Sequence, residues 1–386
     1  MINFIFLSLP DIVLSGMQYL SPGFCRLLIV LLSPLFLFSC KEKEQPLSKE
    51  EALEVAQKID SSINKKQPRY FSELMDVDVF SERIAKAGDS KYAKQIKKEM
   101  KNFWHQLDMG DKIVQSLGET GQYKLVKHYE KDGIHHLIFR LYATDGLNYH
   151  DVELTKYKGK PRIADIYIYL TGESFSKTVA DLAEAFGGSK GRDDGEDIAS
   201  SIKRMRDYIK TGEYEKAEIF YTGLPSSIKD QKSVRLMAIM LYKDYDDDKY
   251  LEQLESFKDR FPDMPNIDLL MIDAYIMRKN YARAIEAVDK LDQFIDKDPF
   301  LDFYRGLIYN MEEKTDEAVV YFEKTYKNYP DFGDVLLELI HYNISKQNDD
   351  KANQLIDAYK NNKAFDQQML ENYLATQPQF EYKKAQ

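Results

Sequence analysis

Residues 211–217 read TGEYEKA, and this pattern returns along the C-terminal half of the chain. Residues equivalent to Ala217, which ends the stretch, follow at intervals of 33, 34, 34 and 34 positions. They are Tyr250, Ala284, Ala318 and Ala352. Self-similarity at a fixed period of this length is typical of proteins in which each repeat is one pair of helices. The pattern therefore predicts five helical repeats over residues 197–364.

Two further columns of residues keep the same period. Nine positions before each equivalent residue stand Tyr208, Leu241, Tyr275, Tyr309 and Asn343, and four positions after it stand Tyr221, Leu254, Val288, Phe322 and Ile356. The columns resemble tetratricopeptide (TPR) repeats, and the resemblance implies an all-α, TPR-like helical solenoid that binds protein segments. An amphipathic segment, Asp366 to Thr376 within residues 365–386, is expected to cap its open end.

The first helix of each pair should line the inner surface of such a solenoid. The residues that we expect there in this register form the candidate partner groove: Leu269, Ile276, Met277, Phe303, Leu307, Asn310, Met311 and Leu337. Most of them are apolar. An apolar helical stripe also occurs where helices simply pack into a core, so a peptide groove and a self-filled core both remain open.

Residues 187–196, GGSKGRDDGE, are rich in glycine and charge and hold no large apolar side chain. This composition predicts a linker. In residues 48–186, before the linker, Ser48 and Glu51 form an S-x-x-E capping box that predicts the start of a helix. Apolar residues at steps of three and four, from Tyr92 to Leu107, predict another helix that ends before Gly110.

From Gln122 onward the apolar period changes to two, and the Asp-Gly pairs at 132–133 and 145–146 favour two-residue turns. We expect Lys131 to pair with Ile134 and Thr144 with Leu147, in a four-stranded antiparallel sheet. The face expected to be buried carries Val126, Leu137, Phe139, Leu141, Val152, Leu154, Ile166, Ile168 and Leu170. The other face, with Arg140 opposite Asp151 and Tyr142 opposite Tyr149, is expected to meet solvent or a docked partner.

Helices followed by such a sheet, including LNYHDVELTKYKGKPRIADIYIYLTGE at 147–173, resemble the NTF2-like (cystatin-like) α+β fold. Members of that family bind ligands or proteins, or act as isomerases and dehydratases with an acid/base residue between sheet and helices. Trp104, His128 and His150 form the candidate pocket here. Because no carboxylate is expected beside these histidines, a hydrogen-bonded core histidine is the competing interpretation.

Residues 27–38 read LLIVLLSPLFLF and lie between Arg26 and the pair Ser39-Cys40. This run is too short to span a membrane and is typical of a signal peptide. Leu37, Ser39 and Cys40 resemble the lipobox of bacterial lipoproteins, which implies removal of residues 1–39 and lipidation of Cys40. Residues 40–47 would then be a tether, and translation is expected to start at Met17 rather than Met1.

The overall composition excludes several classes of protein. Apolar residues make up 44% of the 386 residues, which excludes a disordered chain. The formal net charge of −10 disfavours nucleic acid as a partner. No P-loop, dinucleotide fingerprint, CxxC, HExxH or GxSxG motif is present, so no cofactor and no metal site is expected.

These features predict a fold class of α+β followed by a TPR-like solenoid. The predicted function is that of a non-catalytic scaffold, lipid-anchored in a bacterial cell envelope and facing the periplasm or the exterior, which holds proteins or peptides on its repeats. The alternative is small-molecule binding, or isomerase-like or dehydratase-like catalysis, in the NTF2-like domain.

Overall fold

The computed structural model describes residues 46–88, 108–143, 146–188, 198–264 and 267–383. The chain divides into two compact units, one that ends at Pro265 and one that begins at Asn266. The first unit contains the antiparallel sheet, the helices around it and the first two helix pairs of the repeats. The second unit contains three further helix pairs and a last helix. The predicted combination of an α+β part and helical repeats is therefore present.

Before the sheet the described residues form the helices α1 (Lys49–Asn64), α2 (Arg69–Leu74), α3 (Val77–Ala87) and α4 (Met109–Leu117). The predicted capping box is confirmed, because the Ser48 hydroxyl accepts from the Glu51 amide at 3.2 Å and the Glu51 carboxylate accepts from the Ser48 amide at 2.8 Å. The helix predicted from Tyr92 to Leu107 lies outside the described residues.

Helix α4 begins where the sequence predicted a helix to end. The Asp108 carboxylate caps it by accepting from the Asp111 amide at 3.1 Å. A Cβ atom placed on Gly110 would lie 2.6 Å from the carbonyl oxygen of Pro68, which precedes α2. Gly110 is thus a close-approach glycine inside a helix rather than a helix terminator.

The sheet is a meander of β1 (Gln122–Lys131), β2 (Ile134–Ala143), β3 (Gly146–Tyr157), β4 (Lys160–Ile168) and β5 (Glu173–Ser174), in that spatial order. The prediction of four strands is wrong, because the sheet has a fifth strand of two residues, β5. A turn through Gly172, whose φ is 63°, returns the chain so that Ser174 pairs with Tyr167. Helix α5 (Phe175–Gly188) follows at once.

The first hairpin has the predicted register, since Lys131 pairs with Ile134. In the second hairpin the predicted register is wrong by two residues, because Leu147 pairs with Tyr142 instead of Thr144. Arg140 consequently faces Tyr149 rather than Asp151. A shift of two residues keeps every side chain on its predicted face, since side chains alternate with a period of two.

A β-bulge in β1, between Leu125 and Lys127, changes the face of the residues before it. Tyr123 pairs with Leu141 and is completely buried, with its ring 4.8 Å from the ring of Phe139. Lys124, which the unbroken alternation placed on the buried face, is exposed. The bulge therefore adds a tyrosine to the core that the regular period did not place there.

The predicted buried face is confirmed for eight of its nine residues, with Val126 half-buried. The other face is buried as well at Arg140, Tyr149 and Asp151, so the expectation of a solvent-facing or docking surface is wrong for its centre. Helices α3 and α5 contact this face. Arg83 of α3 pairs with Glu153 at 2.6 Å, and the Ser176 amide of α5 donates to Asp165 at 3.1 Å.

The five predicted helix pairs are present in the described residues. They are α6 (Ile198–Lys210) with α7 (Tyr214–Thr222), α9 (Lys232–Lys243) with α10 (Asp247–Arg260), α11 (Ile267–Met277) with α12 (Tyr281–Phe294), α13 (Leu301–Met311) with α14 (Thr315–Asn328), and α15 (Gly333–Ser345) with α16 (Asp349–Lys360). A short helix α8 (Ser226–Lys229) lies between the first two pairs. The column from Ala217 to Ala352 is the fourth residue of each second helix and is buried throughout.

Helix α17 (Gln367–Ala375) follows the last pair, at the position predicted for the cap. Asp366 begins it by accepting from the Met369 amide at 2.9 Å. Leu370 is the residue of this helix that is buried. The helix thus buries Leu370 and exposes mainly polar side chains together with Met369, an arrangement that suits the predicted cap.

Candidate functional site

His150, the first candidate of the predicted pocket, is a buried residue of β3. Its Nδ1 atom is 3.3 Å from the Tyr123 hydroxyl, and its Nε2 atom is 3.5 Å from the side-chain amide nitrogen of Asn148. Burial lowers the pKa of His150 to about 4. A histidine with so low a pKa is neutral at pH 7 and a weak base, so this geometry suits a core residue better than a general base.

His128, the second candidate, is half-buried and belongs to a chain of hydrogen bonds. His135 Nε2 donates to the carbonyl oxygen of Leu47 at 2.8 Å, so His135 Nδ1 can accept from His128 Nε2, 2.9 Å away. Burial and the neighbouring His135 lower the pKa of His128. This chain ties β1 and β2 to the segment before α1. Trp104, the third candidate, lies outside the described residues.

A histidine with an orienting carboxylate lies on the opposite face of the sheet. His136 Nδ1 donates to Asp151 Oδ2 at 3.0 Å, and the Tyr129 hydroxyl donates to the same oxygen at 2.7 Å. The Tyr129 and His136 rings stack at 4.5 Å. Sequence reasoning missed His136, although the confirmed pairing of Lys131 with Ile134 puts it opposite Tyr129.

The eight residues of the candidate partner groove all lie in the second unit, on the first helices of its three pairs. Leu269, Phe303 and Leu307 are buried, and the Phe303 ring packs 4.8 Å from the ring of Phe332. The other five are partly exposed: Ile276, Met277, Asn310, Met311 and Leu337. Three members are thus core residues of this unit and five are within reach of solvent. Partner binding by this set stays a prediction.

Asn310 also lines a cleft of about 310 Å³ in the second unit. We call this the α15 cleft, because four of its residues project from α15. Its lining consists of Asn310, Thr315, Phe322, Glu338, His341, Tyr342, Ser345, Tyr373 and Gln377. The fourth and fifth helix pairs and the capping helix all contribute. This lining is more polar than the apolar groove that the sequence predicted.

The sequence contained a signal for the α15 cleft. Glu338, His341, Tyr342 and Ser345 are spaced at i, i+3, i+4 and i+7, which puts them on one stripe of a helix. The stripe carries polar groups where a buried helix face would carry apolar ones. The other contributors come from separate helices, so only the tertiary structure brings the nine residues together.

Glu338 is the principal charged group of the cleft. It is half-buried, and the Asn310 side-chain amide donates to its Oε2 atom at 3.2 Å. Burial, together with the charge of Asp334 one turn earlier, raises the pKa of Glu338 to about 7. The carboxyl group is therefore poised to gain or lose its proton near neutral pH.

Two aromatic side chains stand against each other in the same cleft. The His341 and Tyr373 rings are nearly perpendicular, with 4.1 Å between their centroids. Burial lowers the pKa of His341, and burial and the charge of Glu338 raise the pKa of Tyr373 to about 12. Both rings are therefore neutral at pH 7. A concave surface with a titratable carboxylate, amides, hydroxyls and aromatic rings has the composition of a binding site.

The predicted lipidation site, Cys40, lies outside the described residues. In the ranges that the structure does describe, none of the helices has both the length and the apolar character needed to cross a membrane.

Comparisons with known proteins give little further information. No family model and no curated protein matches this chain. A solved structure of a MamA mutant is similar over 44% of this chain and 97% of its own, with 16% identity and a TM-score of 0.31. A structure described as MamA MSR-1 C2 is similar over 46% and 98%, with 17% identity and a TM-score of 0.32. TM-scores this low do not establish a shared fold. The helical repeats are therefore assigned from the helix pairs of this chain.

Proposed function

We propose that this chain is a scaffold that holds a segment of a partner protein against its second unit, anchored to a bacterial membrane through a lipid on Cys40. The observation that carries this proposal is the α15 cleft, since it opens among the first helices that a solenoid uses for recognition and includes Asn310 of the predicted groove. Partly exposed Met311 adds adaptable apolar surface to α13 next to Asn310, and partly exposed Met277 does so on the first helix of the preceding pair, α11.

The scaffold role predicts contact at a defined place. A photo-cross-linking amino acid at Met311, in the full chain in intact cells, should give a discrete cross-linked product. The same amino acid at Lys327, which is exposed on α14, is the matched control and should give none. Equal products from the two positions, or none from Met311, would contradict the proposal.

The anchor is supported by Leu37, Ser39 and Cys40 together with the preceding apolar run. The variant Cys40→Ser should move the protein from the membrane to the soluble fraction and abolish incorporation of an alkyne-tagged fatty acid. Cys25→Ser, inside the segment expected to be removed, should change neither. Retention of Cys40→Ser in the membrane would show that the anchor is wrong even if the scaffold is right.

We also infer that residues 48–186 have the NTF2-like arrangement and act as a platform rather than an enzyme. Support comes from the helices that precede a bulged antiparallel meander, and from the neutral, hydrogen-bonded state of His128 and His150. The variant His150→Gln should therefore leave cross-linking at Met311 unchanged. Loss of the cross-link in a folded His150→Gln protein would mean that partner binding depends on the sheet around His150.

A further inference from the structure

We propose that the α15 cleft binds the guanidinium group of an arginine side chain carried by the partner segment. The inference rests on the proposed function and specifies the chemistry of the contact that the scaffold makes. It follows from three features of the cleft, which are its charge, its aromatic lining and its free hydrogen-bond acceptors.

The charge of the α15 cleft is uncompensated. None of its nine lining residues is a lysine or an arginine, and His341 is neutral at pH 7. Lys346, which directly follows the last residue of α15, is paired with Asp316 at 2.7 Å. The groups that face Glu338 are therefore acidic or neutral: Asp334 and His341 on α15, Asn310 on α13, Thr315 and Phe322 on α14, and Tyr373 and Gln377 at the capping helix. A bound cation would therefore complement the negative charge of the Glu338 carboxylate.

The carboxylate of Glu338 has capacity for further hydrogen bonds. Asn310 donates to Oε2 at 3.2 Å, whereas Oε1 has no donor among the residues that the structure describes. An ionised carboxylate offers about four lone-pair sites over its two oxygens. Guanidinium presents parallel N–H groups that match a carboxylate, whereas an ammonium group acts as a point charge.

The aromatic lining favours a planar cation. Tyr373, Tyr342, Phe322 and the His341 ring border the same space as Glu338. A guanidinium plane can stack on such rings while its edge bonds the carboxylate, and cation–π attraction grows when the pair is shielded from water. At about 310 Å³ the cleft is at the small end of ligand sites, which suits one side chain rather than a large cofactor.

Binding of a cation here must depend on pH. A positive charge beside Glu338 favours its ionised form, so arginine should lower the carboxyl pKa from its unliganded value of about 7. Below that value a proton must leave before arginine binds. Affinity should therefore rise by up to about tenfold between pH 6 and pH 8, where the unliganded carboxyl passes from mostly protonated to mostly ionised.

The experiment measures binding of three fluorescein-labelled pentapeptides to the detergent-solubilised full chain by anisotropy. The peptides are Gly-Gly-X-Gly-Gly with arginine, citrulline or lysine at X. Citrulline has nearly the shape of arginine without its charge. At pH 8 the arginine peptide should bind at least tenfold more tightly than the citrulline peptide and more tightly than the lysine peptide. Its affinity should fall as the pH is lowered to 6.

The variant Glu338→Gln keeps the size of the side chain and an acceptor for Asn310, and it should abolish both the arginine preference and the pH dependence. Glu371→Gln, at an exposed glutamate of the capping helix, should change neither. Equal binding of arginine and citrulline, equal binding of arginine and lysine, or a preference that survives Glu338→Gln would each overturn the inference. If cross-linking at Met311 persists in that case, the scaffold role stands and only the arginine contact is wrong.

Discussion

At the scale of single residues, the histidines of the sheet are distinguished by their surroundings. His150 is buried between Tyr123 and Asn148 without a carboxylate, and its pKa falls to about 4. His136 lies on the other face and donates to Asp151. The side-chain type is the same in both cases, so the neighbours that the fold supplies decide which histidine can be a base.

The burial of His150 predicts a pH dependence of stability. Its pKa is lower in the folded than in the unfolded chain, where it is near 6.5, so the unfolded state binds more protons between pH 6.5 and pH 4. The free energy of unfolding should therefore fall as the pH falls through this window, by up to about 3 kcal/mol from this group.

The variant His150→Gln, which cannot gain the proton, should lose this contribution to the pH dependence. The measurement is denaturant unfolding of the wild type and the variant at pH 4.5 and pH 7. Other titrating groups are common to both proteins and cancel in the comparison. An identical pH dependence in the two proteins would mean that His150 titrates normally in the folded state.

At the scale of elements, the stability of a helix pair in the second unit depends on how closely its two helices approach each other. Gly306 of α13 lies against the Phe322 ring of α14, and a Cβ atom there would come within 2.5 Å of a ring carbon. The corresponding positions of the other first helices hold Met205, Ala238, Ile272 and Ile340, so glycine occupies this position in one of the five repeats. Phe322 also lines the α15 cleft, so this contact holds one wall of the candidate site.

Gly306→Ala should therefore destabilise the protein by about 1–2 kcal/mol, because overpacking outweighs the gain in helix propensity. Thermal unfolding measures the effect. Introducing the same change in a Phe322→Leu background, where the ring is absent, should cost less or become stabilising. Additive effects of the two substitutions would contradict a direct contact.

The capping helix α17 allows a matched comparison between neighbours. Leu370 is 2% exposed and Met369 is 51% exposed. Leu370→Ala should cost about 2–4 kcal/mol through lost burial and the cavity left behind, whereas Met369→Ala should stay within about 0.5 kcal/mol of the wild type. Denaturant midpoints compare the two, and equal effects would mean that α17 does not seal the solenoid through Leu370.

At the scale of the whole molecule, the division of the chain falls after the second helix pair, between Pro265 and Asn266. The linker predicted at 187–196 is a different position, and its residues 189–196 lie outside the described residues, so it stays a prediction. Within the first unit, Lys232 of α9 pairs with Glu173 of β5 at 2.7 Å, and both side chains are mostly buried. Contacts of this kind connect the first repeats to the sheet, which composition along the chain does not reveal.

Two compact units predict two unfolding transitions in calorimetry. Leu137→Ala in the first unit and Leu307→Ala in the second remove similar buried side chains, and each should lower mainly one transition, a different one in each case. A single transition that both substitutions shift equally would show that the two units unfold together.

The sequence by itself determined the repeating helix pairs, the capping box at Ser48 and the register of the first hairpin. Each depends on a local or periodic pattern, in which the residues that interact lie at fixed spacings. It also assigned faces of the sheet correctly where strands were regular, because alternation survives a register shift of two.

The tertiary structure alone decided the rest. The bulge that turns Tyr123 inward, the fifth strand and the burial of Arg140 and Asp151 depend on which elements pack on the sheet. The α15 cleft needs residues from three helices of two pairs and from the capping helix. The raised pKa of Glu338 likewise comes from burial and the nearby Asp334. Burial is a property of the assembled core, so no spacing along the chain could supply it.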